Sequence, residues 1–190
     1  QDELSIPVAK LPENVKLKFK KESGHVFFYD MKYHYALKKF RPFGLEQGIS
    51  IHREYHDLEG GKVLPKDLKH GETYKVILNF FFADNTDYLV VEEPIAAGLE
   101  PINFALKNVR RSLRNKNSTS SSFSWRLTHR EFHDKKILLF ADHINRGFYE
   151  FSYFVNVTNA GNYLVPPAKA MEMYDPEVFG TTGVEEVVAQ

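Results

Sequence analysis

Two near-identical pentapeptides carry the most suggestive chemistry in this chain, His52-Arg53-Glu54-Tyr55-His56 and His129-Arg130-Glu131-Phe132-His133. Paired imidazoles flanking a carboxylate are ligands for zinc or nickel. In zinc-peptidase helices the glutamate directly follows the first histidine, and two imidazoles four residues apart meet at one metal. Here an arginine intervenes, and the surrounding alternation is that of a strand. Along a strand, residues four apart are separated by roughly 13 Å at ~3.3 Å per residue, too far for one ion. A site would need the two pentapeptides on adjacent strands, with His52 and His56 facing His129 and His133. The apolar series Ile49, Ile51, Tyr55 on the other face favours a solvated His-Glu-His surface, so no metal is assigned.

Other reactive groupings are weaker. The chain has no cysteine, which removes disulfides, thiolate metal sites and thiol nucleophiles together. Ser118 to Ser122 occupy a polar tract, and no Gly-x-Ser-x-Gly turn occurs. Glu92-Glu93 and Glu185-Glu186 point to opposite faces if extended, so neither doublet can flank one bond as a glycosidase pair must. Both are expected at solvated edges. Gly60-Gly61 belongs to a turn rather than a phosphate cradle. Tyr29, Tyr33 and Tyr35 could stack on a sugar, although their alternation favours core packing. The residues thus point to no enzyme and no cofactor.

The elements that position these side chains are mostly strands. Period-two runs rich in aromatic and β-branched residues suit a half-buried pleated surface. Val15, Leu17, Phe19 and then Phe27 to Tyr35 predict a hairpin around Glu22-Ser23-Gly24. Arg41-Pro42-Phe43-Gly44 breaks the pattern and places a boundary, giving units 1–43 and 44–190. Further strands are expected at Gly48–Leu58, Glu72–Ala83, Tyr88–Glu93, Phe123–Phe132, Lys136–Ala141 and Phe148–Thr158, with shorter ones at Gly161–Val165 and Met171–Met173. Ile102, Ala105, Leu106, Val109 and Leu113 recur at helical spacing behind Pro101 and predict one short amphipathic helix. It leads into a mobile loop through Ser122. The expected fold is an all-β antiparallel sandwich.

Composition fits a packed domain. Hydrophobic residues make up 43% and aromatics 14%, enough apolar surface to offset chain entropy. Lys plus Arg and Asp plus Glu stand at 25 each, so no field of one sign recruits nucleic acid. No apolar run approaches the ~20 residues that span a bilayer, and Gln1 to Lys10 lacks a signal-peptide layout. The chain is expected to be a mature or excised soluble portion.

Taken in order, several blocks resemble the C-terminal macroglobulin-like domain of bacterial alpha-2-macroglobulins, envelope proteins that trap peptidases. They are Gly48 to Tyr55 with Asp57-Leu58-Glu59-Gly60, Leu68-Lys69-His70-Gly71-Glu72, and Tyr88 to Pro101. His129-Arg130-Glu131 with Phe140-Ala141-Asp142, Gly147 to Tyr153, Val165-Pro166-Pro167-Ala168 and Glu172 to Val178 continue the series. The likeness covers about residues 44 to 180. It implies a macroglobulin-like β-sandwich, and makes residues 1–43 a possible end of a preceding CUB-like domain or a strand pair of the same sandwich. Many family members hold an internal Cys–Gln thioester, which this cysteine-free chain cannot contain. The resemblance implies instead a non-catalytic domain covering the thioester region. Its Tyr174, in Met173-Tyr174-Asp175-Pro176, matches the tyrosine that packs on the buried bond. It further implies the thioester and CUB-like domains and host or competitor peptidases as partners, and an envelope location, periplasmic, membrane-anchored or secreted. The residues themselves leave open a free-standing metal-binding or carbohydrate-binding sandwich.

Overall fold

The period-two runs at Ile49–His56, Thr73–Phe82, Thr86–Pro94, Lys136–Ile144 and Gly147–Val157 fold as strands, because a pleated ribbon can bury one whole face and solvate the other. The computed structural model describes residues 41–102, 123 and 126–190, with isolated positions 7, 16, 18, 20, 24, 26 and 28. The expected hairpin over Val15–Leu37 is described only at isolated positions. The helix behind Pro101, the Ser118–Ser122 loop and the rings of Tyr29, Tyr33 and Tyr35 lie outside the described residues. Packing divides the chain into Gln1–Ala36 and Leu37–Gln190, and every strand among the described residues belongs to the second unit.

In chain order the strands are β1 (Leu45–Gln47), β2 (Ile49–His56), β3 (Lys62–Val63), β4 (Thr73–Phe82), β5 (Thr86–Pro94) and β6 (Leu99–Pro101). After these come β7 (His129–Phe132), β8 (Lys136–Ile144), β9 (Gly147–Val157), β10 (Gly161–Val165), β11 (Lys169–Glu172), β12 (Phe179–Thr181) and β13 (Glu185–Ala189). They form a five-stranded sheet β3-β2-β4-β9-β6, a six-stranded sheet β1-β12-β11-β5-β8-β7 and a ribbon β10-β13. All the ladders between these strands are antiparallel.

Register fixes which side chains enter the core. β2 pairs with β4 from Ile49↔Phe82 to His56↔Lys75, and β4 with β9 from Thr73↔Asn156 to Phe82↔Gly147. The inward rows are therefore Ile49, Ile51, Tyr55 on β2, Tyr74, Val76, Leu78, Phe80, Phe82 on β4, and Phe151, Tyr153, Val155, Val157 on β9. They pack in one cluster with Leu89 and Val91 of β5, Ile137, Leu139 and Ala141 of β8, and Val187 of the ribbon. That is the sandwich expected from the alternation. Gly180 on β12 lies where a Cβ would come within 2.3 Å of the Ile49 carbonyl oxygen, so the join between β12 and β2 requires glycine.

Two expectations change. The strand placed at Phe123–Phe132 begins only at His129. Phe123 instead sits in a turn, its N–H donating to Glu150 O (3.1 Å) and its carbonyl accepting from Arg126 N–H (3.0 Å). Its ring stacks on Phe80 at 4.9 Å, so the position serves the core rather than a ladder. Five short strands, β1, β3, β6, β12 and β13, form where no alternation announced them. Among the described residues no helix is long and apolar enough to cross a membrane.

Candidate functional site

Alternation along β2 runs Ile49, Ile51, Arg53, Tyr55 on the inward face, so Arg53 is carried into the core with its apolar neighbours. Its side chain is 0% exposed, as is that of Glu93, which β5 projects inward after Leu89 and Val91. The two meet fork to fork. Arg53 Nε donates to Glu93 Oε1 (2.7 Å) and Nη2 to Glu93 Oε2 (2.8 Å). Tyr153, inward on β9, donates its hydroxyl to Glu93 Oε1 at 2.6 Å. Arg53 Nη1 lies 3.3 Å from Oε2 of Glu185 on β13, an ion pair without hydrogen-bond alignment. Nη2 also approaches the Pro166 carbonyl oxygen at 3.5 Å. One guanidinium thus joins both sheets and the ribbon.

This corrects the expectation that Glu92-Glu93 and Glu185-Glu186 sit at solvated edges. In each doublet one carboxylate turns out and the other turns in, and both inward ones reach Arg53. The two-faced geometry expected of each doublet holds, but Glu93 is in the core and Glu185 is half-buried, and both take a buried cation as partner. The signal for this lies in the parity of Ile49-Ile51-Arg53-Tyr55 and Leu89-Val91-Glu93.

Burial alone would lower the Arg53 pKa, yet attraction and hydrogen bonding to Glu93 outweigh it and the net shift is upward. The guanidinium stays charged. Burial, with the Glu93 charge beside it, pushes the Tyr153 phenol up, so its proton stays to be donated. Burial also raises Tyr55. Glu185 is raised mainly by burial, against the pull of Arg53. The paired oxygens are closed to solvent. The arrangement is a clamp. Losing one partner of such a buried pair costs about 3–5 kcal/mol, because the other charge is left uncompensated.

The histidines face outward. His56 Nε2 lies 3.1 Å from Glu54 Oε2, and Lys62 Nζ donates to Glu54 Oε1 at 2.7 Å. His133 Nε2 is 2.9 Å from Glu131 Oε2, and His129 Nε2 is 3.3 Å from Glu131 Oε1. His52 contacts Ser50 Oγ at 3.3 Å. β2 and β7 lie in different sheets, so the cross-ladder meeting that a shared metal needs is not made. Among the described residues no three His, Asp or Glu side chains converge on a possible ion.

Tyr174 lies at the tip of the β11–β12 loop, 79% exposed. Asp175 stiffens that loop, its carboxylate accepting from Glu177 N–H (3.2 Å) and its carbonyl from Val178 N–H (3.1 Å). The Tyr174 ring meets that of Tyr88 edge-on, with centroids 5.2 Å apart and planes at 88°. Tyr88 has φ +50°, the only positive φ at a non-glycine among the described residues. For a bulky side chain this costs roughly 1–2 kcal/mol.

Known proteins resemble this chain along most of its length. Residues 48–177 match the family described as Bacterial Alpha-2-macroglobulin MG10 domain. An alpha-2-macroglobulin homolog of Nostoc sp. is 27% identical over 199 residues, covering 99% of this chain and 10% of its own length. The chain thus spans about a tenth of that relative. Trypsin-activated alpha-2-macroglobulin of Escherichia coli superposes with a TM-score of 0.68 at 20% identity, over 78% of this chain and 11% of that one. The native E. coli protein from domain MG7 to the C-terminus gives 0.66 at 19% identity, over 80% and 25%. These structural likenesses concern the fold.

Proposed function

Since the chain belongs to the bacterial alpha-2-macroglobulin family as an MG10 domain, and that family consists of protease inhibitors rather than enzymes, we propose that it is a non-catalytic lid over a reactive thioester carried elsewhere in the same polypeptide. The observation that carries this reading is Tyr174, a large ring 79% exposed at the tip of a stiffened loop. Burying such a ring against a neighbouring domain would yield about 3–4 kcal/mol at ~25 cal/mol per Å². It would also exclude water from a thioester and offer its carbonyl a phenolic O–H. The clamp at Arg53 holds the sheets that present the loop, so the surface arrives preorganised.

In this reading the partners are the thioester and CUB-like domains of the parent polypeptide, with peptidases engaged by the whole protein. The parent lies in the bacterial envelope. Residues 1–36 are the end of the CUB-like domain that precedes the lid. Release of the lid when a peptidase cuts the parent would leave the bond open to a nucleophile.

The test uses the full-length parent with Tyr174→Gly. Methylamine attacks a thioester carbonyl carbon, forming an amide while the C–S bond breaks and sulfur leaves as a thiolate that a thiol reagent can count. The uncut variant should release thiol at least tenfold faster than the uncut parent. Equal rates would remove the lid role.

A further inference from the structure

We propose that Tyr88 is a positioning residue for Tyr174, holding its ring in the orientation in which it docks; this rests on the lid reading above. The starting observation is the backbone. Strand β5 needs no positive φ to pair with its neighbours, yet Tyr88 adopts +50° in mid-strand. Strain at an exposed aromatic must be sustained by something that strand pairing does not supply.

Tyr88 sits where the β5–β8 ladder is interrupted and where, on the other side of β5, the β11–β12 loop begins. Between β5 and β8 the ladder runs Thr86↔Ile144, Asp87↔His143, and resumes at Leu89↔Ala141, leaving Tyr88 outside it. Alternation breaks there, so Asp87 and Tyr88 are both exposed while Thr86 and Leu89 are both buried. The Tyr88 carbonyl accepts Met173 N–H at 3.0 Å, continuing the β5–β11 register one residue beyond the Leu89↔Glu172 pair. The next side chain along the loop is Tyr174, whose ring the Tyr88 ring meets edge-on. On the far side, Asp175 fixes the turn through Glu177 and Val178.

Tyr174 is thus held from three directions, by a backbone hydrogen bond before it, a turn after it and an aromatic edge beside it. Only the third orients the ring. Both rings are largely solvent-exposed, 53% for Tyr88 and 79% for Tyr174, so their pairing contributes little to the core and belongs to the surface it shapes. An exposed tyrosine without this neighbour would sample its rotamers freely and lose that freedom on docking.

The experiment measures methylamine-dependent thiol release in the full-length parent, comparing wild type with Tyr88→Ala, Tyr88→Gly, Tyr88→Phe, Tyr174→Gly and the double variant Tyr88→Ala/Tyr174→Gly. Tyr88→Ala should react about three- to tenfold faster than wild type, within the range of an aromatic pair, and more slowly than Tyr174→Gly. Tyr88→Phe keeps the ring and should match wild type. The double variant should be no faster than Tyr174→Gly, because Tyr88 acts only through Tyr174. Tyr88→Gly removes the ring and relieves the φ strain, so it should react as Tyr88→Ala does without a lower Tm, separating ring loss from misfolding. If Tyr174→Gly is fast while Tyr88→Ala and Tyr88→Gly stay at the wild-type rate, the inference fails and the lid reading survives. Multiplying effects in the double variant would make Tyr88 an independent contact and overturn the positioning role. If no variant yields an amine-dependent thiol, or Tyr174→Gly reacts at the wild-type rate, the lid reading falls and this inference with it.

Discussion

The two pentapeptides differ at a single residue, Tyr55 against Phe132, and have opposite fates. In the first, Arg53 is sealed in the core with Glu93 and reaches the half-buried Glu185; in the second, Arg130 is exposed. Parity is not the cause. Arg130 pairs with Leu139 and Phe132 with Ile137, both inward residues of β8, so Arg130 sits on the core-facing side of its strand as Arg53 does. Position is the cause. β2 lies between β3 and β4 and faces Glu93 across the sandwich, whereas β7 is the edge of the six-stranded sheet. An inward-pointing charge on an edge strand discourages pairing with another chain. The outward faces stay alike, with Glu54–His56 at 3.1 Å and Glu131–His133 at 2.9 Å. Local sequence sets which way a side chain points, and the sheet sets what it meets there.

Truncating both arginines puts this contrast to its most severe test. Arg53→Ala should lose about 3–5 kcal/mol in urea unfolding, leaving Glu93 buried without its cation. Arg130→Ala should stay within about 0.5 kcal/mol. Similar losses would mean the two sites are equivalent. Next in size, Tyr153→Phe deletes one donor to Glu93 and should cost about 1.5–3 kcal/mol, as expected for a hydrogen bond to a charged group.

Tyr55→Phe makes the pentapeptides identical. It should change stability by less than about 1 kcal/mol and leave Arg53 protected, because position rather than sequence buries it. A large loss would return the explanation to the residue that differs.

The two regions should also respond to pH with opposite signs. Glu185 has a folded pKa raised by burial, so the folded state holds its proton more readily than the unfolded chain. Its contribution is fully present below the unfolded value near 4.5 and is lost as pH rises through the raised folded value. Glu185→Gln should remove that decline from a series of unfolding measurements above pH 4.5. Glu131 is lowered, chiefly by its hydrogen bond to His133, so its contribution is present above the unfolded value and lost as pH falls through the depressed folded one. It is exposed, and salt should erase its slope in Glu131→Gln comparisons while leaving that of Glu185. Equal salt sensitivity would contradict the difference in burial.

Much of the fold was legible because burial of one strand face imposes a period of two. β2, β4, β5, β8 and β9 were found within a few residues for that reason. β3, β6 and β12 were not, since strands of two or three residues are too short to show a period and exist because a neighbour offers a ladder. The aromatic character of Phe123 suits a strand, whereas the core uses it through a turn. Tyr174 stands out in the sequence only through the resemblance of its loop to a family. Tyr88, on the strand that neighbours β11, carries no signal in sequence for a positive φ.

Alternation along the chain was enough to determine the all-β class and to put Arg53 on the face of Ile49, Ile51 and Tyr55, and the order of the sequence blocks was enough to mark the family. It took the assembled sandwich to bring carboxylates from β5 and β13 together on one guanidinium. The same assembly leaves Arg130, with nearly the same neighbours in sequence, in contact with water. The reason is that parity is a property of one strand, whereas burial and charge pairing depend on which strands lie opposite, and residues far apart in the chain settle that together.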